Sequence, residues 1–309
     1  MESRLKTFAE SLFTKHKVRM YRKEKDIFLS HCEKEFAQLG YNEITIRNDY
    51  NMFGKVSKNL LIGQPDADIL VTAHYDTPGR NGFLLIFNPL VGMIISNILF
   101  LLAIIFLPRF FIAYFDIGSI GGMLINAAIP FGLVASFFIK NKHNHNDNTS
   151  GVLGVYKVAE LVAKNPELKA RCAFVLFDHE EIMPGLLGSR AFAEWRNRNY
   201  PFKANDMVVN LDCIGVGDVL TVMTNKKHDG WHKAANFFAK EGFNVRKVRG
   251  GLAATSDHAP FSNGISLVFQ KRSLLGPLHI PNIHSGRDRV CDLDQVERLG
   301  KAVYKYIGE

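Results

Sequence analysis

Ala173-Phe174-Val175-Leu176-Phe177-Asp178-His179-Glu180-Glu181 decides how the rest of the chain is read. The apolar run Ala173 to Phe177 predicts a buried strand. Two adjacent glutamates at a strand's end are costly to bury without a partner of opposite charge. A divalent metal is such a partner, and it gives the pair separate jobs: one carboxylate coordinates while its neighbour handles protons. The Gly-rich Pro184-Gly185-Leu186-Leu187-Gly188 follows. Read alone, Glu180-Glu181 is equally a solvated pair in a βα loop, so the surrounding chain has to decide.

Outward from this stretch, Ile44–Ile46, Asn59–Ile62, Asp68–Ala73, Met207–Leu211, Leu220–Met223 and Ile265–Phe269 read as further strands. Helical spacing covers residues 1–39, Val152 to Val162, Ser189 to Arg196, Trp231 to Lys240 and 292–307. Strands alternating with helices predict an α/β fold, a three-layer α/β/α arrangement with a mixed, mostly parallel central sheet. The first helical stretch is basic, which suits a solvated face or a membrane surface equally. No signal peptide is visible in Met1 to Arg22. The 309 residues carry a formal charge of +8 without a basic block interleaved with aromatics. Nucleic acid is therefore not expected as a partner, and an anionic membrane lipid surface fits the charge better. Cys32, Cys172, Cys213 and Cys291 are far apart, which argues against a disulfide framework or zinc ribbon.

Between Asp76 and Asp147 the composition changes. Asn81 to Pro108 and Ile117 to Ile139 hold no charged residue, with only Arg109 and Asp116 between them. Roughly 20 apolar residues cross a bilayer core of about 30 Å. The runs predict a transmembrane-like helical hairpin, about 89–107 out and 118–139 back, with Gly118 and Gly122 in a GxxxG pattern. A buried helix pair or an apolar lid is the competing reading. Residues 83–140 are then an insertion in a catalytic domain made of 1–82 and 141–309. Arg80, Lys140 and Lys142 at the near flanks place that domain in the cytoplasm by the positive-inside rule.

Acidic residues and histidines recur at the predicted strand ends: His74 with Asp76, Asp147, Glu180 with Glu181, Asp212, Asp257 with His258, and His284. In open α/β sheets, sites gather beyond the carboxyl ends of strands. A His/carboxylate set suits zinc or another borderline divalent ion, and so many carboxylates in one pocket favour two ions over one. Taken singly, His74 and His284 read first as hydrogen-bonded loop histidines, and Asp147 and Asp212 also fit turn or helix-cap roles. His143 and His145 read as solvated loop histidines rather than extra ligands.

Six segments carry a resemblance. They are His74-Tyr75-Asp76-Thr77, Asn146–Gly151, Glu180-Glu181 with Gly185–Ser189, Asn210–Gly215, Ser256-Asp257-His258 and His284–Asp288. In that order they resemble the M28 family of zinc aminopeptidases. The resemblance implies that His74 and Asp212 bind one zinc, Glu181 and His284 the other, and that Asp147 bridges both. It makes Glu180 the general base, sets Asp76 behind the His74 ring, and puts Asp257 and His258 in the active-site shell. The implied activity is hydrolysis of N-terminal peptide bonds on a peptide with a free amino end, here by a membrane-associated dizinc enzyme. A glutaminyl cyclase-like enzyme of the same fold and a non-catalytic membrane protein that keeps the fold remain as alternatives. The chain departs from the family pattern in its long apolar insert, in His179 where Gly often stands, and in the added Met183-Pro184.

Overall fold

Four strands running the same way carry the site-bearing loops to one edge of the sheet. The computed structural model describes residues 3–50, 54, 56–79, 90–115, 119–136, 138–181, 185–201, 203, 206–226, 228–250, 255–273 and 278–309. The elements are α1 (Arg4–Thr14), α2 (Arg22–Gln38), β1 (Ile44–Tyr50), β2 (Val56–Ile62), β3 (Ile69–His74), α3 (Leu90–Tyr114), α4 (Ser119–Ser136), α5 (Gly151–Val162), α6 (Pro166–Arg171), β4 (Cys172–Phe177), α7 (Leu187–Asn199), β5 (Met207–Leu211), β6 (Val219–Thr224), α8 (Asp229–Lys240), β7 (Val245–Arg249), β8 (Gly264–Arg272), β9 (Leu278–His279) and α9 (Leu293–Ile307). The sheet order is β1-β2-β4-β3-β5-β8-β6-β7, with β9 paired to β8.

The expected mostly parallel sheet is corrected to an evenly mixed one. Strands β4, β3, β5 and β8 are mutually parallel, whereas β1, β2, β6 and β9 join by antiparallel pairing. Register places His74 opposite Phe177, and Asp212 follows Leu211 on the next strand. The loops after β3, β4 and β5 therefore open at the same edge. β7, Val-Arg-Lys-Val-Arg, was not expected as a strand; it lies at the sheet's end, where three cations in five residues are tolerated.

Side chains alternate across the sheet. Leu60, Ile62, Val71, Ala73, Phe174 and Leu176 face one core, which α1, α2, α5, α8 and α9 cover. Leu61, Leu70, Ala173, Val175, Phe177 and Val208 face a second core under α7, with Phe192 and Phe261. This gives the three layers. The apolar face of α1 (Leu5, Phe8, Ala9, Leu12) is buried in the first core, so it is not a membrane-binding face.

Among the described residues no helix is long and apolar enough to cross a membrane. The expectation of membrane-crossing helices over 89–107 and 118–139, and the cytoplasmic placement that depended on them, therefore have no support here. The paired helices themselves are present with shifted limits. α3 runs on through Pro108 and Arg109 to Tyr114, because a proline removes one helix hydrogen bond without obliging the helix to end. Residues 80–89, 116–118 and 182–184, and with them Arg80, Asp116, Gly118 and Met183-Pro184, lie outside the described residues, as do the side chains of 90–98, 100, 101, 119, 129 and 133–136. Gly122 packs against Ile112, but an added Cβ would meet it at an ordinary 3.6 Å, so the position does not require glycine for close packing. At the base of the hairpin, Gly79 and Lys140 form an antiparallel bridge.

Candidate metal centre

Asp147 is the hub. It lies in a helical turn, His145–Ser150, where Asp147 (φ −109°, ψ 99°) and Asn148 (φ −121°, ψ 43°) leave helical geometry. Asp288 holds this turn: its two carboxylate oxygens accept the Asn146 and Asp147 amides at 2.9 Å each. On the far side, Asn148 Oδ1 accepts the Gly151 and Cys213 amides, fixing the turn to the loop after β5.

The side chains around Asp147 converge from three strand ends and a C-terminal loop. His74 Nε2 is 3.5 Å from Asp147 Oδ1 and 3.8 Å from Asp212 Oδ1. His284 Nε2 is 3.0 Å from Asp147 Oδ2 and 3.1 Å from Glu181 Oε2. Among the described residues, donor atoms of His74, Asp147 and Glu181 lie within 4.8 Å of one another, and so do those of Asp147, Asp212 and Cys213. Both groups contain Asp147, while the ion-pair distances set His74 beside Asp212 and His284 beside Glu181. His143 and His145 are in neither group; His145 instead stacks on Phe13 with ring centroids 4.3 Å apart.

Asp76 ties the glutamates to the His74 loop. Its Oδ1 accepts the Glu180 amide at 3.1 Å and its Oδ2 the Glu181 amide at 3.2 Å. His74 Nδ1 is then closer to the Asp76 carbonyl (3.3 Å) than to its carboxylate (3.5 Å). The backbone and side chain of one residue thus orient the imidazole and anchor both glutamates. His179, where the resembled family often has Gly, sits at φ 57°, the left-handed region that favours glycine. Its ring lies 2.9 Å from Ser57 Oγ. Gly188 is packed so tightly on the Asp178 carbonyl that a Cβ there would collide with it, which holds the Gly-Leu-Leu-Gly segment against the end of β4.

The electrostatics describe a site short of positive charge. Burial pushes Glu181 up to about 7 and Glu180 well above the carboxylate range, with neighbouring carboxylates adding to both. Burial opposes charge on His74 and His284 too, yet the carboxylates facing them hold both above the usual imidazole range. Against its own burial, Asp147 is held low by His284 and His74. Asp147 Oδ2 has no hydrogen-bond partner among the described residues, although His284 Nε2 is 3.0 Å away; that contact lies off hydrogen-bond geometry. Nitrogen and carboxylate oxygens crowded together with an orphaned buried oxygen among them suit a bound cation, and the donor set suits zinc. Cys213 reaches this cluster. Burial and the adjacent Asp147 and Asp212 raise its pKa well above the usual thiol range.

Asp257 and His258 are fully buried, and neither ring nitrogen of His258 makes a hydrogen bond among the described residues. Burial raises Asp257 to about 7, opposed by His74 and Ser189, and lowers His258 to about 4. Ser256 links this pair to the metal loop, donating to Asp212 Oδ2 at 2.8 Å.

Two supports were not visible in the sequence. Arg19, fully buried, donates from Nε to the Tyr75 carbonyl and from Nη2 to Thr149 Oγ1 at 2.9 Å, so it clasps the His74 and Asp147 loops together. Lys25 forms a buried ion pair with Asp178 just before the glutamates. Both come from the N-terminal segment, more than fifty residues away in sequence, where no local signal marks them.

A sequence model described as peptidase family M28 matches residues 139–307. No curated protein sequence matches the chain. Among solved structures, the LapA aminopeptidase of Legionella pneumophila superposes with TM-score 0.62 at 16% identity, over 98% of this chain and 70% of that one. A Zn-dependent exopeptidase from Parabacteroides distasonis gives 0.59 at 13% identity, over 97% and 96%. A glutaminyl cyclase from Porphyromonas gingivalis gives 0.61 at 16%, over 98% and 96%. At such identities the likeness is one of fold, and it does not separate peptidase from cyclase.

Proposed function

The chain belongs to peptidase family M28, and from that premise we propose that it is a dizinc aminopeptidase that associates with a membrane through its apolar hairpin. The observation that carries the reading is Asp147: one buried carboxylate in contact with histidines on both sides, its Oδ1 towards His74 and its Oδ2 towards His284. His74 and Asp212 would hold one zinc, Glu181 and His284 the other, and Asp147 would bridge them. When bound, the zinc pair polarises the scissile carbonyl and lowers the pKa of water.

The chain's own residues supply the rest. Glu180 accepts the proton of the attacking water and returns it to the leaving amine, a role that needs a carboxylate beside the bound water without being spent on the metal. Asp76 fixes the Glu180 and Glu181 amides, so that the two side chains diverge from one anchored peptide. Asp257 and His258 would line the pocket. Support for the membrane reading is the exposure of large apolar side chains on α3 and α4, Phe106, Phe110, Ile120 and Phe131 among them.

A metal-replete digest of a peptide library, with mass analysis of the products, tests the reading. Loss of single N-terminal residues is expected. A pyroglutamyl product from an N-terminal Gln peptide would instead assign cyclase chemistry, and no product across the panel would assign a non-catalytic role. Glu180→Gln is expected to keep zinc and lose turnover about 100-fold or more. A variant hydrolysing at the wild-type rate would remove Glu180 as base. Recovery of the full chain in the soluble fraction without detergent would remove the membrane association.

A further inference from the structure

Among the described residues, large apolar side chains are exposed at the base of the hairpin as well as along it. Leu99, Phe106, Phe110, Ile120, Met123 and Phe131 are exposed along the two helices, and Phe138 and Ile139 remain exposed where the chain re-enters the catalytic domain. The next residue is Lys140, which bridges to Gly79. Around this base the surface chemistry changes within one residue. Tyr21 donates its hydroxyl to the Phe138 carbonyl at 2.7 Å, and Lys140 Nζ lies 5.2 Å from the centre of the Tyr21 ring while pairing with Glu24. Arg22 and Lys23 follow Tyr21, Lys142 follows two residues after Lys140, and all three are exposed. The Arg22 side chain is 85% exposed, with a 4.0 Å contact to Asp26. An apolar body bordered by a ring of Tyr, Lys and Arg is the pattern that meets a bilayer, with the aromatic and the cations at headgroup level.

The same base adjoins the metal loops. Gly79 is three residues beyond Asp76, and three residues span at most about 11 Å. Asp76 in turn holds the amides of Glu180 and Glu181. We infer that the hairpin docks the chain on an anionic lipid surface with the headgroup plane at the Tyr21–Lys140 collar, and that the site acts on polypeptide N-termini emerging from that same surface. Docking of this kind needs no membrane-crossing helix. An extended residue advances about 3.3 Å, so an N-terminal tail of about five residues reaches from the collar to the catalytic loop. The substrate class follows: polypeptides anchored in the bilayer with a short protruding N-terminus. The docking stands on the surface chemistry alone, whereas the substrate class rests on the peptidase reading.

The test uses the zinc-loaded full chain with phosphatidylcholine vesicles, with and without phosphatidylglycerol. Flotation measures docking. Hydrolysis is compared for one peptide sequence in three forms: soluble, acyl-anchored through a spacer of about five residues, and acyl-anchored through a spacer of about twenty. The chain is expected to float with the anionic vesicles, and the short-spacer peptide to be cleaved with at least about 10-fold higher kcat/KM than the soluble one. Arg22→Gln with Lys23→Gln is expected to lower vesicle affinity about 30-fold, from about 1 kcal/mol per basic residue. Soluble-peptide turnover should not change. Phe106→Asn with Phe110→Asn should abolish flotation and the anchored gain together. A chain that leaves the vesicles and self-associates through the hairpin overturns the docking. Flotation with cleavage of the long-spacer peptide alone overturns the placement of the site at the surface. Hydrolysis of the soluble peptide with no anchored gain overturns the substrate class and leaves the peptidase standing. Flotation with no hydrolysis of any form overturns the peptidase reading and the substrate class with it.

Discussion

Removal of the Arg19 guanidinium tests whether the N-terminal segment sets the metal-site geometry. Arg19 is fully buried; Nε donates to the Tyr75 carbonyl, Nη1 to the His16 carbonyl at 2.8 Å and Nη2 to Thr149 Oγ1 at 2.9 Å. Its amide also donates to Thr77 Oγ1, and its carbonyl accepts the Thr77 amide. Burial lowers its pKa to about 10, so it stays charged at neutral pH, facing Asp76 and Asp147. Arg19→Ala leaves two buried acceptors, Tyr75 O and Thr149 Oγ1, without donors, at about 1–3 kcal/mol each. Together these come to about 2–6 kcal/mol before the lost countercharge to Asp76 and Asp147 adds to them. A domain is stable by about 5–15 kcal/mol, so a clearly lower urea midpoint is expected, and the charge-keeping Arg19→Lys carries the test if Arg19→Ala does not fold. The diagnostic readout is zinc affinity, measured by competition with a chromophoric chelator. Tyr75 lies between His74 and Asp76, and Thr149 two residues past Asp147, so loosening both loops is expected to weaken zinc binding at least about 10-fold, in the range of mutations behind the ligands. Arg19→Lys keeps the charge without the fork of donors and should fall between. A variant that loses stability but binds zinc within about twofold of wild type would refute the positioning argument and leave Arg19 as a structural residue.

Lys25→Met strands the buried Asp178 without its cation and should cost about 3–5 kcal/mol in urea unfolding, and adding Asp178→Asn should recover part of it; equal losses in both variants would refute the pairing argument. Zinc removal by chelation should lower the thermal midpoint, because a ligand at about 1,000 times its Kd stabilises by about 4 kcal/mol; an unchanged midpoint would mean that the site binds no zinc. His16 and His31 stack at 4.5 Å, and burial lowers both, His16 to about 4. Both stay neutral in the folded chain while the unfolded chain protonates near 6.5, so their contribution is present above that pH and is lost as pH falls towards 4. With the rings half exposed the loss is on the order of 1 kcal/mol, and His16→Phe should reduce the drop in urea midpoint between neutral and acid pH.

The parallel centre of the sheet was legible because β3, β4 and β5 are short apolar runs ending in His74, Phe177 and Leu211, each followed by a chemistry-bearing residue. Their convergence needed only the rule that parallel strands share a carboxyl edge. β7 was not legible, since an end strand of Val, Arg and Lys has no apolar alternation to read. Neither was the upper limit of α3, because Pro108 and Arg109 look like the end of a segment until the aromatic residues beyond them continue it. Arg19, Lys25 and Asp288 act on the site across large sequence separations, and no spacing rule connects them to His74 or Asp147. Cys213 lies past the end of β5 rather than within it, and its approach to Asp147 depends on the loop turning back through a left-handed φ of 51°.

The Gly79–Lys140 bridge has a topological consequence. The excursion from 80 to 139 leaves and returns at neighbouring points, so the catalytic domain sees it as a closed loop rather than as a separation between its halves. Loop-closure entropy grows only as the logarithm of length, so exchanging about 60 residues for a turn of about four changes the closure term by only about 2.4 kcal/mol, in favour of the shorter chain. An insertion closed in this way can be lengthened, shortened or exchanged while the loops on either side of it keep their spacing.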